Sequence, residues 1–410
     1  MRIDRREFLS FAAAGAFSGF FGLPNALAAS KNRTKKLIVL WMEGGPSQLD
    51  TFDPKPGTTQ GGPFGALSTP VAGVRISEHL PTVAKEMKSL AVVRTMTSKE
   101  GNHPRARYLL HTGYPPGGAV HHPGIGSVVA HELADDAVPL PAFVSIGGLP
   151  IGSGFLGANS APYMIPDPAK TQPNLHLPKG IDEERLSRRM SLLSVLEDGY
   201  KKDAPEWTNA HSIMRARAQR MMRSEEVRAF DISEEPEKVR EAYGDSMFGR
   251  GALVARRLVE SGVRAVEVAL KGWDTHEDNF DRVKDLSKAL DPAMGSLIRE
   301  LRERGLLEDT LVVWMGEFGR TPLINGKSGR DHFPRAYSVA LAGAGIQGGV
   351  CVGETSADGM EIARRPVTVP ELFATIYHCL GVKLDRVFST PQGRPIPIVG
   401  DGGKPIAELV

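Results

Sequence analysis

The sequence predicts an α/β protein built on a mainly parallel sheet with helices on both faces, and three observations point to it. Short apolar runs rich in branched residues recur along the chain and end in glycine or polar loops, as buried parallel strands do. Amphipathic helical spacing lies between such runs, so that helix and strand alternate. The chain, at 410 residues, is long enough for one large α/β domain or two to three smaller ones.

The first segment precedes the fold. Arg5-Arg6-Glu7-Phe8-Leu9 leads into an apolar stretch from Phe11 to Leu23 and then Ala26-Leu27-Ala28, the pattern of a twin-arginine export signal cleaved after Ala28. The apolar stretch, about thirteen residues, is well short of the roughly twenty that span a bilayer. Residues 1–28 are therefore expected to be a signal peptide, with the twin-arginine translocase as a transient partner. The mature protein is expected in the periplasm or elsewhere outside the cytoplasm, without a stable membrane span.

The next run, Leu37 to Met42, lies between a basic stretch and Glu43-Gly44-Gly45-Pro46 and predicts a buried strand. Strands of the same design are expected at Leu90 to Met96, Val263 to Leu270, Thr310 to Met315 and Tyr337 to Leu341. A helix from about Gly251 to Glu260 should stop near Gly262. Leu286, Leu290, Met294, Leu297 and Leu301 recur at steps of three and four, the stripe of an amphipathic helix that Gly305 would end.

Two stretches rich in Gly, Pro, Ser and Asn, Phe52 to Gly73 and Gly147 to Pro178, predict long loops near one rim. The charged stretch at about 182–240, with Met190, Leu193, Val195, Leu196, Met214, Met221 and Met222, predicts a helical insertion or cap. Its basic cluster from Arg215 to Arg223 has the makeup of a solvated helix face. Residues 29–410 are otherwise expected to form a single domain.

Composition narrows the function. Lys and Arg number 50 against 48 Asp and Glu, for a net charge of +2, which excludes the basic footprint of a nucleic-acid binder. Cys351 and Cys379 are the only cysteines. An oxidising destination would permit a disulfide, but each lies in an apolar run where a free cysteine serves as a small hydrophobe.

The chemistry-bearing residues fall at strand ends. Glu43 follows the first strand, Asp274 and His276 follow the strand ending at Leu270, Glu317 follows Met315, and Asp331 and His332 precede the strand at Tyr337. Brought to one rim, these carboxylates would repel one another unless a cation neutralised them. A divalent metal, one or two ions, is the simplest answer. Carboxylate with imidazole suits Zn, Mn or Fe, and Ca or Mg where oxygen dominates.

Four motifs then carry a family resemblance: Glu43-Gly44-Gly45-Pro46-Ser47-Gln48-Leu49-Asp50-Thr51-Phe52-Asp53-Pro54-Lys55-Pro56, Gly272-Trp273-Asp274-Thr275-His276, Gly316-Glu317-Phe318-Gly319-Arg320-Thr321-Pro322 and Gly329-Arg330-Asp331-His332-Phe333-Pro334. Together they resemble a largely uncharacterised family of twin-arginine-exported bacterial proteins placed in the alkaline phosphatase/sulfatase superfamily. The resemblance implies a mixed, mostly parallel sheet sandwiched by helices, with a metal site at the strand ends and hydrolysis of phosphate or sulfate esters.

By the same resemblance, Glu43, Asp274, His276, Glu317, Asp331 and His332 are the metal-binding candidates. Phe318 stands where the superfamily carries a histidine, and a phenyl ring cannot ligate, which implies one ion rather than two. His103-Pro104-Arg105-Ala106-Arg107 through Leu110-His111-Thr112-Gly113 is similar to the sulfatase nucleophile helix. Arg107 matches its arginine and would pair with an anionic substrate oxygen.

His103 takes the nucleophile's place in that register. Nucleophile, general acid/base and third imidazole ligand all stay open for it; in the last two roles a metal-activated water would attack. Arg320 is expected to contact substrate or balance the acids, and Asp50, Asp53 and Lys55 to fix loops or support the site. His111, His121 and His122 have no ligand spacing and are expected to pack or lie at the surface. The function implied is an exported metal-dependent hydrolase of a sulfate or phosphate ester, such as a modified polymer. The alternative is a non-catalytic exported binding or scaffold protein on a degenerate sulfatase-like fold.

Overall fold

A computed structural model describes residues 34–410, apart from 171, 173, 174, 178 and 201–204. The expected export signal, residues 1–28, lies outside the described residues. Nine strands make the main sheet: β1 (Lys36–Glu43), β2 (Leu90–Thr97), β3 (Phe143–Ile146), β4 (Tyr163–Ile165), β5 (Ala265–Lys271), β6 (Thr310–Gly316), β7 (Tyr337–Ala342), β8 (Val350–Val352) and β9 (Val367–Thr368). Their order is β8-β2-β7-β6-β1-β5-β3-β4, with β9 also beside β2. The main helices are α1 (His103–Thr112), α2 (Ile125–Leu133), α3 (Glu183–Tyr200), α4 (Pro205–Met222), α5 (Met247–Glu260), α6 (Asn279–Glu303) and α7 (Val369–Cys379).

The central strand explains the layering. Leu37 to Met42 of β1 are all buried, because a strand covered on both faces can be apolar throughout. Ile38, Leu40 and Met42 join one core with α5 and α6. Leu37, Val39 and Trp41 join the opposite core with α1, α2 and α7. The result is a sheet sandwiched by helices.

All five expected strands and both expected helices are present. Leu290, Met294, Leu297 and Leu301 of α6 are fully buried, and the helix gives way to Gly305 in the left-handed region at φ 65°.

The sheet is mixed and mostly parallel, as expected, with one strand reversed. β7 runs antiparallel to both β2 and β6, while every other pairing in the sheet is parallel. An antiparallel β7 begins where β6 ends, so residues that precede it meet residues that follow β1 and β6. The expected loops also contain structure: a ribbon of Ala66–Ser68 with Arg75–Ser77 enters the first, and β4 lies in the second.

The region at 182–240 is helical at α3, α4 and Glu237–Tyr243. Neither Cys351 nor Cys379 is in a disulfide. They belong to the two cores on opposite faces of the sheet, so they do not pair. No helix among the described residues is long and apolar enough to cross a membrane.

Candidate metal centre and active site

Three strands end level at the site. Glu43 of β1 stands opposite Lys271 of β5, and Met42 opposite Gly316 of β6. The chain leaves β1 through Gly44 at φ 116°, where a Cβ would collide with the backbone of Trp273 and Asp274. Glycine there lets the first loop lie flat on the second. A Cβ at Gly329 would likewise run into the carbonyl of His276. Beyond β6, Gly319–Arg320 pairs with His332–Phe333 in a short antiparallel ribbon, which returns His332 beside Glu317. α1 opens at His103 shortly after β2.

Three imidazoles converge on one carboxylate oxygen. His276 Nε2 is 3.1 Å from Asp274 Oδ1, His103 Nε2 is 3.2 Å from it and His332 Nε2 is 3.5 Å from it. His276 Nε2 and His332 Nε2 are 3.0 Å apart. The ligand atoms of His103, Asp274 and His332 all lie within 4.8 Å of one another, the spread of a metal site.

The other ring nitrogens settle the proton positions. His332 Nδ1 faces the Gly101 carbonyl at 2.8 Å, which can only accept, so Nδ1 carries the proton. His276 Nδ1 faces Asp331 Oδ1 at 2.7 Å, and His103 Nδ1 faces Glu317 Oε1 at 2.8 Å, with the same consequence. In each neutral ring Nε2 is then a bare lone pair. His103 Nε2 is buried and makes no hydrogen bond among the described residues, as is Glu317 Oε2. Lone pairs facing one another at this range repel unless a cation or a proton lies among them. Histidine that donates Nδ1–H to an oxygen and offers Nε2 inward is the arrangement of a metal ligand, and the donor set fits a divalent ion.

The electrostatics agree at Asp274 and His332. Burial works against ionisation of Asp274, but the hydrogen bond and charge of Arg320, with His103 and His276 behind it, hold its carboxyl down at about 2. Burial lowers the His332 imidazole, helped by the charge of Arg320, which keeps that ring a neutral donor. The hydrogen bond that His103 donates to Glu317 raises its imidazole against burial, so without an ion this ring leans toward a second proton, and the bond that His276 donates lowers the Asp331 carboxyl.

The sequence-derived candidates therefore separate by position. Asp274, His276 and His332 meet, and His103 joins them with its Nδ1 held by Glu317. Glu317 sits behind His103, its Oε1 also accepting from the Gly44 amide at 2.9 Å. Asp331 stands outside the convergence point and backs His276.

Of the two roles expected for Arg320, contact with substrate or balance of the acids, its position fits the second. It is fully buried, donating to Asp274 Oδ1 at 2.6 Å, Gly45 O at 3.0 Å, Arg330 O at 3.2 Å and the Gly44 carbonyl. It serves as the built-in counter-charge of the acid cluster. The Phe318 ring packs against His332 and His103 with centroids 4.5 and 4.9 Å away and closes that side of the cluster.

Beside the cluster opens a cleft of about 540 Å³ lined by Glu43, His103, Arg107, Lys271, Asp274 and Glu317 among others. Glu43 makes no ion pair or side-chain hydrogen bond among the described residues, so it stands on the wall rather than in the cluster. Arg107 Nε is buried without a hydrogen-bond partner among the described residues. No hydroxyl or thiol side chain is among the described residues that line the cleft. Lys271 is a cleft residue that sequence reasoning missed; its one signal was its place as the last residue of β5, level with Glu43.

His111 is buried rather than superficial, 3.3 Å from Glu267 in the core. His122 stacks on Tyr114 with centroids 4.1 Å apart.

A family model described as "Protein of unknown function (DUF1501)" matches residues 34–410. No curated protein matches the sequence. Among solved structures, the PsFucS1 sulfatase from Pseudoalteromonas sp. is similar at 12% identity and TM-score 0.40, over 87% of this chain and 70% of that chain. A protein in the alkaline phosphatase superfamily from Vibrio parahaemolyticus is similar at 11% identity and TM-score 0.39, over 86% and 67%. The phosphonate monoester hydrolase SpPMH from Silicibacter pomeroyi is similar at 13% identity and TM-score 0.38, over 92% of this chain and 76% of its own. Likenesses this remote assign no residue a role.

Proposed function

The chain belongs to the DUF1501 family, and we propose that it is a metal-dependent hydrolase of an anionic ester, with the ion held by His103, Asp274, His276 and His332. The observation that carries this reading is the convergence of three Nε2 atoms on Asp274 Oδ1 while each Nδ1 is committed to an oxygen. A divalent ion bound there would supply Lewis-acid polarisation of a phosphoryl or sulfuryl oxygen and make a water more acidic.

The remaining roles fall to the cleft. Arg107 and Lys271 bind the ester's negative oxygens, Arg107 through a guanidinium whose Nε has no protein partner among the described residues. Because no hydroxyl or thiol is among the described residues that line the cleft, water is the nucleophile. Its oxygen bonds to phosphorus or sulfur as the bond to the ester oxygen breaks. The Glu43 carboxylate takes the water's proton, and the alcohol leaves after gaining a proton from solvent. Arg320 keeps Asp274 ionised, and Glu317 and Asp331 hold two of the rings.

The missing hydroxyl also favours a second reading, an exported binding protein that keeps the ion and turns nothing over. Metal content per chain, followed by turnover of a panel of phosphate and sulfate esters before and after chelation, separates the two. The hydrolase reading expects bound ion and chelator-sensitive turnover; hydrolysis that survives complete removal of metal defeats it. Export rests on residues 1–28 alone, and changing Arg5-Arg6 to Lys-Lys should strand the protein in the cytoplasm.

A further inference from the structure

The opening motif extends well past the cleft, and Asp50 within it has no place in the chemistry above. It is fully buried, as is Arg330. Asp50 Oδ2 accepts from Arg330 Nε at 2.8 Å and from Asn279 Nδ2 at 2.9 Å. Asp50 Oδ1 accepts from Arg330 Nη2 at 3.3 Å. The remaining guanidinium N–H groups donate to the carbonyls of Pro322 at 2.6 Å, Thr321 at 3.2 Å and Gln60 at 2.7 Å.

The pair reaches both histidine loops. Asn279 Oδ1 accepts from the Thr275 hydroxyl at 2.6 Å, and the Arg330 amide donates to the Thr275 carbonyl at 2.9 Å. Thr275 lies between Asp274 and His276, and Arg330 lies two residues before His332. A buried, fully bonded guanidinium has one orientation, so it sets the spacing of the two loops as well as their attachment to the loop after β1.

We propose that Asp50, Arg330 and Asn279 are positioning residues that set the distance between the His276 and His332 lone pairs, and thereby the affinity and geometry of the site for a divalent ion. This rests on the ion-site reading above. Groups that orient metal ligands from behind typically govern ~10–100-fold in affinity.

Removing Asp50 alone would strand a buried guanidinium and risk unfolding, so two other variants make the test. Asn279→Ala cuts a neutral link. The double variant Asp50→Leu/Arg330→Met removes both charges together. Zn²⁺ binding by titration calorimetry and the visible spectrum of the Co²⁺-loaded full chain are the readouts, with circular dichroism to confirm folding.

The expected result is folded Asn279→Ala protein that binds Zn²⁺ about 10–100-fold more weakly with displaced cobalt bands, and the same or more in the double variant. Wild-type affinity and an unchanged cobalt spectrum in folded Asn279→Ala overturn the proposal. A wild-type chain that binds neither ion overturns the site reading and this inference with it, a result distinguished from the former by the wild-type titration itself.

Discussion

Asp274 Oδ1 is where the charges of the site meet, receiving Arg320 at 2.6 Å while facing three imidazoles. Its neighbours have separable tasks. His276→Ala and His332→Ala each delete one inward lone pair, so each should cut bound metal per chain after dialysis by more than the ~10–100-fold affinity loss of an orienting partner. Full metal occupancy in both would remove them from the ligand set. Arg107→Ala deletes a charge that faces the cleft but no lone pair, so metal content should hold while KM for an anionic ester rises. A hydrogen bond to a charged group is worth about 1.5–3 kcal/mol, or roughly 10–100-fold. Glu43 decides between two roles. As the proton acceptor, Glu43→Gln should keep its metal and lose about 10²–10⁴ in kcat; metal lost in that variant would make Glu43 a ligand instead.

The elements around the site are held by buried charge as much as by apolar faces. Arg256 of α5 is almost wholly buried. It bonds Glu235 at 2.7 Å, Glu260 at 2.6 Å and Glu300 of α6 at 3.2 Å, tying the segment that precedes Glu237–Tyr243 to both helices. Arg256→Met should cost about 3–5 kcal/mol, the range for leaving buried partners uncompensated, as read from the shift of a urea transition. The same hub predicts an acid dependence. Burial acts to raise the Glu235 carboxyl, yet the hydrogen bonds and charges of Arg256 and Arg257 outweigh it and leave it below its ordinary 4.5. A depressed carboxylate contributes stability above 4.5 that is lost as pH falls through its folded value. Glu235→Gln should therefore flatten the acid side of the stability profile, and an unaltered slope would show that the hub carries no such linkage.

At the scale of the whole molecule, what the sequence disclosed follows from what burial imposes on it. β1 shows as a strand because Leu37 to Met42 are covered on both faces, and α6 shows because its stripe faces one core. β3, β4, β8 and β9 escaped notice because two to four residues are too few to display a period. The direction of β7 is not written in its apolar pattern at all; it depends on the excursion through Gly319–Arg320 and His332–Phe333. Rim residues were legible as polar groups placed directly beyond apolar runs. Roles were less so, since Arg320 turns inward only because the carbonyls of Gly44, Gly45 and Arg330 come from distant loops to receive it. That assembly from afar has a thermodynamic consequence. The donors come from the start of α1, the loop after β5 and the return into β7, and an unfolded chain would not hold them together. An ion that binds only the folded chain stabilises it by mass action, about 2.7 kcal/mol at a hundredfold excess over Kd. Added Zn²⁺ or Mn²⁺ should raise the thermal midpoint of the full chain, and chelation should lower it, in hydrolase and binding protein alike. His332→Ala should lose that response while its midpoint without added metal stays near that of the wild type under chelation. A midpoint indifferent to every divalent ion would mean that the three rings share protons rather than a metal, and the hydrolytic role would lose its foundation.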